Sequence, residues 1–592
     1  MLEKGKAIET DVLVVGSEGA GSRAAIEVAR NGLRVLVATK GRFTRSGATV
    51  TADMDMDLPS RDAKEVFGLD GNIADTVENF AQDMFDEGKY MNNEEVVLAH
   101  CYNAAKYIKE LADWGMRIEG LTQSPGHRFP RGILSTGRSM MEALKRGTRQ
   151  YKIDFAEDTM VTNLLSKNGR VVGAVGIDIR TGEFLVVKAK AVILATGGAM
   201  RLYPVTTAPE ELTGDGFYMA YQAGAELVDM EFPMFLPSCL YWPESMLGVD
   251  FPYIFSTEVG GWWLNRFGER FMEKWDPIRM EMGTTRDVAS IAMAIEILEG
   301  RGGPHGGIFV SLKHIPDEIL EYSTKTFIWW PNFVYGNFDL VEFNMDPRKV
   351  AYEAGPAAHY WNGGIKVNGK GETNVSGLYA AGEAQGGTMG ANRLSGNAVT
   401  EAVVFGALSG SSAAHYAKSA PPPEIDKDQV DMYQERIYEP LTRKDGFDVY
   451  ETRKKIQALA FKYVGPVREE SGLTTCIKEV EAMSKEVLSN PATKAKGKVY
   501  NREWVVALEN EAMLRVLEII ARASLMRKES RAAVYRRDYT DTDNKDWLKN
   551  IIVKNKDGQV SLEAKPVVTT RITLPKREKI SYMLPTWKFD KK

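Results

Sequence analysis

The stretch TDVLVVGSEGAGSRAAIEVARNGLRVLVATK, residues 10–40, decides the fold. It contains an apolar run, a glycine-rich turn, an alanine-rich segment and a second apolar run. Strands buried on both faces of a parallel sheet have continuous apolar sequences, so the pattern predicts a strand, a helix and a second strand. Such a βαβ unit, complete within about thirty residues, predicts an α/β domain that binds a dinucleotide.

The glycine-rich turn comprises Gly16, Ser17, Glu18, Gly19, Ala20 and Gly21. The backbone N–H groups of such a turn, together with the N-terminus of the following helix, bind a pyrophosphate. Glu18 takes the position of the second glycine of the dinucleotide fingerprint, so we expect its side chain to point away from the phosphates or to reach them through water. The second strand ends in Thr39 and Lys40 rather than in the acidic residue that holds an NAD ribose, which favours FAD over NAD.

The bulk composition excludes some classes of function. The 592 residues are too many for one hydrophobic core, and 44% apolar with 26% charged residues is typical of a soluble globular enzyme. Lysine and arginine together number 75 and the acidic residues 80, which gives a net charge of −5. Because this balance provides no general attraction for phosphate backbones, nucleic acid is not an expected partner.

The cysteines, Cys101, Cys239 and Cys476, lie far apart and lack the CxxC spacing of iron–sulfur, zinc and c-type haem sites. We therefore expect no metal site. The N-terminal residues run directly into a predicted strand without an apolar signal region, and no window contains the run of about 20 apolar residues that a membrane span requires. The sequence predicts a cytoplasmic protein without a membrane span, although a partner could hold it at a membrane.

Changes in amino-acid composition and in sequence pattern along the chain predict its domains. An irregular, aromatic-rich part with segments such as FPMFLPSCLYWP and FIWWPNFVY separates two parts rich in glycine turns and short strands. A segment rich in proline and charge then precedes a series of amphipathic helical patterns. The predicted units are a nucleotide-binding domain formed by 1–230 and 355–420, an inserted domain over 231–354, a helical domain over 421–545 and a C-terminal tail over 546–592.

Twelve short segments occur in the order in which one known family has them: DVLVVGSEGAGSRAAI, TRSGA, ATGG, TGDG, DMEF, NRFGERFM, TRDV, AHYWNGGI, GLYAAGEA, GANRLSGNAVTEAVVFG, YVGPVREESGL and ESRAAVYRRDY. From Thr10 to about Lys549 the chain thus resembles the flavoprotein subunits of fumarate reductase and succinate dehydrogenase, a family that includes L-aspartate oxidase and, more distantly, the adenylylsulfate reductase flavoprotein. The resemblance implies an α/β fold with a Rossmann-like FAD-binding domain, an inserted α+β capping domain and a C-terminal helical domain. These domains agree with the units predicted above from composition and sequence pattern.

The matched segments imply further contacts to FAD. They assign cofactor binding to Ser46, Gly47 and Ala48 of TRSGA, Thr196 and Gly197 of ATGG, Asp215 of TGDG, Glu383 of AAGEA, and the backbone of Ala398 and Val399. Together with the glycine turn, Thr39 and Lys40, these residues form the predicted FAD site.

The resemblance also implies three catalytic residues. Arg286 of TRDV matches the arginine that delivers a proton, and His359 and Arg393 match ligands of a substrate carboxylate. Arg393 lies in GGTMGANRLSGNAV, residues 386–399, where it is the only charged residue. Because a buried charge without a partner is costly, an anionic substrate is expected to complete it, whereas a structural clamp on backbone carbonyls is the alternative.

The expected reaction is the reduction of an activated C=C bond. Reduced FAD gives a hydride to the β-carbon, Arg393 and His359 stabilise the charge on the conjugated carbonyl, and Arg286 brings a proton to the α-carbon. Arginine is a poor acid, so a purely electrostatic Arg286 with water as the donor stays open.

Two departures from the family change the expectation. Gly47 stands where covalent members have the histidine that bonds to the flavin, so non-covalent FAD and a preference for reduction are predicted. Where the family has HPTG, whose polar side chains hold the second substrate carboxylate, this chain has LPSC at residues 236–239. The family's following segment is shortened to TEVGGWW, which removes an arginine of the proton relay and leaves Thr257 and Glu258 as catalytic candidates of ambiguous register.

These changes predict that the substrate is an unsaturated carboxylate or conjugated carbonyl with a bulkier apolar or aromatic tail, and not simple fumarate. The alternative is that the aromatic residues of this region, among them Tyr241, Trp242, Trp262 and Trp263, form the core of the capping domain.

Two other functions stay open. TRSGA also resembles adenylylsulfate reductase, so an adenylylsulfate reductase-like flavoprotein subunit is one alternative. The other is an electron-transfer flavoprotein subunit of a multi-subunit redox complex, which retention of Arg286, His359 and Arg393 argues against. Electrons are expected from an iron–sulfur or other redox partner protein, another flavoprotein or a diffusible carrier, among which the sequence does not choose.

Overall fold

The computed structural model describes residues 7–124, 126–326, 344–486 and 490–582. The aromatic segment FIWWPNFVY, residues 327–335, lies outside the described residues. Within these ranges, no helix combines the length and the apolar character that a membrane span requires.

The described strands are β1 Ile8–Val15, β2 Val35–Ala38, β3 Asp53–Asp57, β4 Gly120–Thr122, β5 Gly132–Thr136, β6 Asp154–Ala156, β7 Thr159–Lys167, β8 Arg170–Asp178, β9 Phe184–Leu194, β10 Leu227–Val228, β11 Pro233–Leu240, β12 Trp262–Leu264, β13 Ile308–Ser311, β14 Tyr352–Trp361, β15 Gly364–Lys366, β16 Leu378–Ala380, β17 Gln385–Gly386, β18 Phe447–Asp448, β19 Val467–Arg468, β20 Pro491–Ala492, β21 Tyr535–Arg536, β22 Asp541–Asp543, β23 Lys549–Lys556, β24 Gln559–Pro566 and β25 Lys579–Ser581.

The described α-helices are α1 Gly19–Arg30, α2 Ser60–Phe67, α3 Val77–Glu87, α4 Glu94–Asp113, α5 Gly137–Thr148, α6 Asp215–Gln222, α7 Phe251–Glu258, α8 Met272–Trp275, α9 Met280–Gly283, α10 Arg286–Leu298, α11 Asp317–Thr326, α12 Asn397–Ser419, α13 Lys427–Thr442, α14 Val449–Val464, α15 Glu470–Glu486 and α16 Arg502–Met526. Single 3₁₀ turns occur at Thr49–Thr51, Met200–Leu202, Glu244–Met246 and Gly382–Ala384.

The βαβ unit predicted from residues 10–40 is confirmed as β1, α1 and β2. Strand β1 pairs in parallel with β2 on one side and with β9 on the other, and β16 adds in parallel to β9. The register aligns Val15 with both Ala38 and Leu194, and Leu194 with Ala380. These strands therefore end at one edge of the sheet, which is where α/β folds bind their ligands.

The capping domain is built on an antiparallel sheet with the strand order β11-β14-β13-β12. Helix α10 packs against β11, where the Ser290 hydroxyl donates to the Phe235 carbonyl oxygen over 3.1 Å. The sheet and α10 share an apolar core that includes Trp263, Ile291 and Ile308. Trp263 is therefore a core residue, as the alternative interpretation of the aromatic segment expected.

The C-terminal part of the chain packs against earlier elements through two helices and pairs with an earlier strand through a hairpin. Helices α14 and α16 contribute Ile456 and Met513 to the core that also contains Leu194 of β9. The hairpin β23–β24 joins a sheet of order β17-β15-β10-β23-β24, in which β10 pairs with both β15 and β23. Residues 549–566 of the predicted tail are thus paired strands.

Candidate active site

The glycine-rich turn lies at the edge of the sheet where the parallel strands end, and it has no room for a side chain at Gly16 or Gly21. A Cβ added to Gly16 would lie 2.1 Å from the Ala195 carbonyl oxygen, and one added to Gly21 would lie 1.9 Å from the Gly16 carbonyl oxygen. The N-terminus of α1, whose first N–H groups have no partner within the helix, lies at this turn. At the same edge the Thr196 hydroxyl is buried and has no hydrogen-bond partner among the described residues. A tight turn, a helix N-terminus and an orphaned hydroxyl fit the phosphates and polar groups of a dinucleotide.

Glu18 turns toward the TRSGA segment. Its Oε2 accepts a hydrogen bond from the Val50 N–H over 3.2 Å, whereas its buried Oε1 has no partner within the described ranges. A Cβ on Gly47, which has a φ of +85°, would lie 2.3 Å from the Glu18 Cγ. Burial raises the pKa of Glu18 to about 8, so its carboxyl group is mainly neutral at neutral pH. Little negative charge therefore opposes a pyrophosphate at this turn.

Lys40 and Asp215, both predicted to bind the cofactor, form an ion pair with each other. The Lys40 Nζ lies 2.6 Å from the Asp215 Oδ2 and 3.2 Å from the Glu509 Oε1 of α16. Burial opposes the charge of Lys40, but the two carboxylates raise its pKa above the usual value. Sequence reasoning missed Glu509 because the residue follows Lys40 by most of the chain length and matches no cofactor motif.

The other residues of the predicted FAD site have varied environments. The Ser17 hydroxyl donates to the Thr39 Oγ1 over 3.2 Å, which joins the turn to the end of β2. The Ser46 hydroxyl donates to the Arg42 carbonyl oxygen within its own loop, and Ala48 directly precedes the 3₁₀ turn at Thr49. Gly19 and Ala20 begin α1, and Gly197 follows Thr196 with a φ of +68°.

Glu383 and the start of α12 lie near the end of β14. The Glu383 Oε1 accepts a hydrogen bond from the Trp361 N–H over 3.0 Å, and burial raises the pKa of Glu383 to about 7. Ala398 and Val399 belong to the first turn of α12, whose N-cap Gly396 has a φ of 79°. The free N–H groups of this turn form a positive helix end, which suits an electron-rich carbonyl of a flavin.

Arg286, His359 and Arg393 come together, although they lie on three separate segments. The Arg393 Nη2 lies 3.4 Å from the His359 Nε2, and the Arg286 Nη2 donates to the Ser395 Oγ over 3.3 Å. Burial, and then the nearby charge of Arg286, lower the pKa of Arg393. The two guanidinium groups are therefore close enough to repel each other.

Neither guanidinium forms an ion pair with a carboxylate in the described part of the chain. Arg286 donates to the neutral oxygens of Ser395 and Tyr253, and Arg393 contacts His359. The Nε of Arg393 is buried without a partner there. Because arginine does not give up its proton, two partly buried positive charges without a counter-ion predict an anionic ligand between them.

Thr207 sets the orientation of His359, which lies at a β-bulge. β14 has one residue more than β11 at this point, since Phe235 pairs with Ala358 and Met234 with Tyr360. The His359 Nδ1 lies 2.9 Å from the Thr207 Oγ1. Burial and then the two arginines lower the pKa of His359 well below its usual value, so the ring is neutral. Because a guanidinium only donates, Nε2 accepts from Arg393 and Nδ1–H donates to Thr207.

The structure does not bring the side chain of Thr257 to this cluster. Its hydroxyl donates to the Tyr253 carbonyl oxygen one turn earlier in α7, over 3.1 Å. The side chain of Glu258, the last residue of α7, lies outside the described part of the structure. Tyr253 reaches the cluster instead, since its hydroxyl oxygen accepts a hydrogen bond from the Arg286 Nε over 3.2 Å. Sequence reasoning missed Tyr253, although the one-turn spacing from Thr257 was available as a signal.

A buried apolar cluster adjoins the cationic cluster through Tyr253, whose hydroxyl contacts Arg286. We call it the apolar wall; it comprises Val205, Leu236, Cys239, Tyr241 and Ala357, and the Tyr253 ring packs against it. Leu236 pairs directly with Ala357, two residues before His359. Of the aromatic residues in the sequence prediction, Tyr241 lies on this wall, whereas Trp242 and Trp262 are 49% and 37% exposed and stack on His305 and His314.

A buried polar network fixes the loop after Arg393, and no sequence motif indicated it. The Asn397 Nδ2 donates to the Asp57 Oδ2 over 2.8 Å, and His100 contacts the Asn397 Oδ1 at 2.9 Å. His127 lies 3.3 Å from the same Asp57 oxygen and 3.0 Å from the Ser395 carbonyl oxygen. These contacts hold Ser395 in place, and with it the loop that carries Arg393.

Two family models match the chain. A model described as an FAD binding domain matches residues 11–399, and one described as the fumarate reductase flavoprotein C-terminus matches residues 453–580. The residues of the predicted FAD site, and Arg286, His359 and Arg393, all lie in the first match.

Proteins similar in sequence include subunits of fumarate reductase and succinate dehydrogenase. The chain is 33% identical to a fumarate reductase (CoM/CoB) subunit of Methanothermobacter marburgensis over 93% of this chain and 97% of the relative. It is 30% identical to a succinate dehydrogenase flavoprotein subunit of Rickettsia conorii over 95% and 96%. Among solved structures, the Mycobacterium smegmatis Sdh1 complex with UQ1 superposes with a TM-score of 0.86 at 28% identity, covering 96% of each chain.

Adenylylsulfate reductase is a more distant neighbour. The solved enzyme of Archaeoglobus fulgidus superposes with a TM-score of 0.74 at 20% identity over 95% of this chain and 96% of the other. At this identity the likeness shows a shared fold alone.

Proposed function

Because this chain belongs to the fumarate reductase and succinate dehydrogenase flavoprotein family, we propose that it reduces the activated double bond of an unsaturated acid with an apolar far end. It is an FAD-dependent oxidoreductase of the class that acts on CH–CH bonds. The observation that carries the proposal is the contrast between two guanidiniums without a counter-ion and the apolar wall beside them.

The cationic end supports binding of a carboxylate or a conjugated carbonyl. Arg393 offers hydrogen bonds to its oxygens, and Arg286 adds a second positive charge. The neutral His359 can donate from Nε2 once its ring hydrogen moves there and its Nδ1 accepts from the Thr207 hydroxyl. When bound, reduced FAD supplies a hydride to the β-carbon. Negative charge then grows on the conjugated carbonyl, where fixed donors in a site with little water stabilise it most.

The apolar wall argues against fumarate, which carries a second carboxylate. Leu236 and Cys239 are buried on β11, which pairs with the strand β14 that carries His359, and they provide no positive charge. The neutral Ser238 hydroxyl is buried without a partner in the described part. Placing a carboxylate there without a counter-ion disfavours binding by several kcal/mol. An alkyl, aryl or ester group would instead gain from the contact.

We also propose that the FAD is held without a covalent bond. Residue 47 is glycine, and the Glu18 side chain occupies the space that a larger residue 47 would require. Acid precipitation should therefore release all flavin into the supernatant, and fluorescence retained by the precipitated chain would contradict the proposal.

The electrons are proposed to come from a partner protein, an iron–sulfur or other redox-active subunit. The relatives named above are themselves subunits, which supports such an assembly. A role in electron transfer without a substrate would not need two unpaired arginines beside a histidine, so the cluster favours an enzyme.

The test is a half-reaction without the partner. The FAD of the purified protein is photoreduced under argon and mixed with cinnamate, monomethyl fumarate, their saturated counterparts or adenylylsulfate. We expect an enoate to reoxidise the flavin stoichiometrically with formation of the saturated acid, while the saturated counterparts leave it reduced. Reoxidation by adenylylsulfate alone would instead favour the adenylylsulfate reductase alternative.

A further inference from the structure

Tyr253 has a free hydroxyl hydrogen at the catalytic cluster. The Arg286 Nε donates to the Tyr253 oxygen over 3.2 Å, and the Arg286 Cζ lies 5.7 Å from the centre of the tyrosine ring. A guanidinium only donates, so this contact uses the phenol oxygen as an acceptor and leaves its O–H hydrogen unused. Within the described ranges that hydrogen has no acceptor.

The pairing favours the phenol over the guanidinium as a source of protons. A phenol is a stronger acid than a guanidinium by a factor of at least about 100. Burial opposes the charge of Arg286, but Tyr253 and nearby carboxylates raise its pKa above the usual value, so Arg286 keeps its proton. A cation fixed at the phenol oxygen stabilises the phenolate that remains after proton transfer.

We propose that Tyr253 donates the proton to the α-carbon of the substrate and that Arg286 is its electrostatic partner. The proposal rests on the proposed function, since it concerns the proton step of the same reduction. It assigns the step to α7, whose last two residues begin the segment TEVGGWW that lacks the relay arginine implied by the family resemblance.

The step balances as follows. A hydride supplied by the reduced cofactor adds two electrons and one hydrogen to the β-carbon, the O–H bond of Tyr253 breaks, and a C–H bond forms at the α-carbon. The phenolate then takes a proton from solvent, so each turnover consumes one proton. Tyr253 is only partly buried, which gives the phenolate access to water without a chain of relaying side chains.

The position of the ring supports the same role. Tyr253 packs on the apolar wall, while its hydroxyl meets Arg286, which in turn contacts Ser395 two residues after Arg393. The hydroxyl thus lies between the apolar wall and the cationic end. A substrate held by Arg393 with its tail on the wall would present its double bond in this interval.

The test compares Tyr253→Phe with wild type in single-turnover reoxidation of the photoreduced protein. With monomethyl fumarate we expect a rate about 100- to 1,000-fold lower, the usual contribution of a general acid. With β-nitrostyrene, whose hydride adduct is a nitronate that is stable without protonation, the rate should stay within about threefold, because the acid step is no longer needed.

Two further measurements separate chemistry from structure. The affinity for monomethyl succinate, the saturated counterpart, is measured by calorimetry and should change less than about threefold, because the phenol ring and both arginines remain. The matched control is Tyr203→Phe, which removes a buried hydroxyl that donates to the Val464 carbonyl oxygen over 2.9 Å away from the cluster. It should reduce both substrates at the wild-type rate.

The outcomes are distinct. A wild-type rate for Tyr253→Phe with monomethyl fumarate would overturn the assignment and favour Arg286 or water as the donor. Equal losses with both substrates, or loss of monomethyl succinate binding, would make Tyr253 a structural or binding residue and also overturn it. If wild type itself fails to react with monomethyl fumarate and every other enoate, the proposed function falls and this inference falls with it.

Discussion

The two regions proposed to form the ends of the substrate site differ in the charge of their side chains. At one end Arg286 and Arg393 carry positive charges that form no ion pair with a carboxylate within the described residues. At the other end Leu236 and its neighbours carry no charge at all. This difference supports our proposal of a ligand that is negative at one end only, since a guanidinium keeps its positive charge and an apolar wall cannot pair with a carboxylate.

The largest effect is expected when the cationic end is removed. Arg393→Met should lower kcat/KM by a factor of about a few hundred to a few thousand, which corresponds to a loss of about 3–5 kcal/mol of transition-state stabilisation. The reason is the loss of a charge-assisted pair that strengthens in the transition state. FAD content and Tm should hold or rise, since a charge without a partner has been removed. Loss of folding or flavin with normal turnover per bound flavin would instead make Arg393 a structural clamp.

The second effect comes from adding a donor to the apolar end. Leu236→His should raise kcat/KM for fumarate about 10- to 100-fold, because a hydrogen bond to a charged group contributes about 1.5–3 kcal/mol. Leu236→Met, which keeps the wall apolar, is the control and should leave fumarate a poor substrate. An unchanged rate with fumarate in Leu236→His would show that residue 236 does not face the substrate.

A smaller effect is expected at Thr207. Its hydroxyl both donates and accepts, so it can support His359 when Nε2 turns from accepting to donating toward a bound carboxylate. Thr207→Val should lower kcat/KM about tenfold, the effect of one lost hydrogen bond, and Thr207→Ser should restore it. Equal activity of the Val and Ser variants would remove Thr207 from the site.

Much of the fold was accessible from sequence because its causes are local. The continuous apolar runs and the glycine turn of residues 10–40 predict β1, α1 and β2, and the motif order predicts that Arg286, His359 and Arg393 meet. Tyr253, Thr207 and Glu509 were not predicted. Each of them acquires its partner through tertiary packing of distant segments, which no local spacing records.

The hairpin β23–β24 illustrates the same limit. The apolar run IIV at residues 551–553 is a local feature of β23, but the pairing of β23 with β10 joins residues that lie more than half the chain apart. Thr257 shows the reverse case, because a motif-based candidate becomes an internal contact of α7 once the helix forms. The predicted domain boundaries stay predictions.

The smallest expected effect concerns the buried carboxyl group of Glu18, which can lose its charge by taking up a proton. Burial raises the pKa of Glu18 to about 8, so between its unfolded value near 4.5 and about 8 the folded state binds more protons than the unfolded state. Its contribution to stability is therefore complete below about pH 4.5 and declines as the pH rises to about 8, by at most about 1.4 kcal/mol per pH unit. Glu18→Gln should flatten the fall of Tm between pH 5 and about 8. An unchanged slope would place the ionised carboxylate in contact with water or a cation.

The central claim is that the site accepts one negative charge and not two. The most direct test is the ratio of the rate constants with which monomethyl fumarate and fumarate reoxidise the photoreduced wild-type protein, since the two compounds share one double bond and differ in one carboxylate. We predict that monomethyl fumarate reacts at least about tenfold faster, because the second carboxylate of fumarate would lie against the apolar wall without a counter-ion. Equal rates, or a faster reaction with fumarate, would contradict the account.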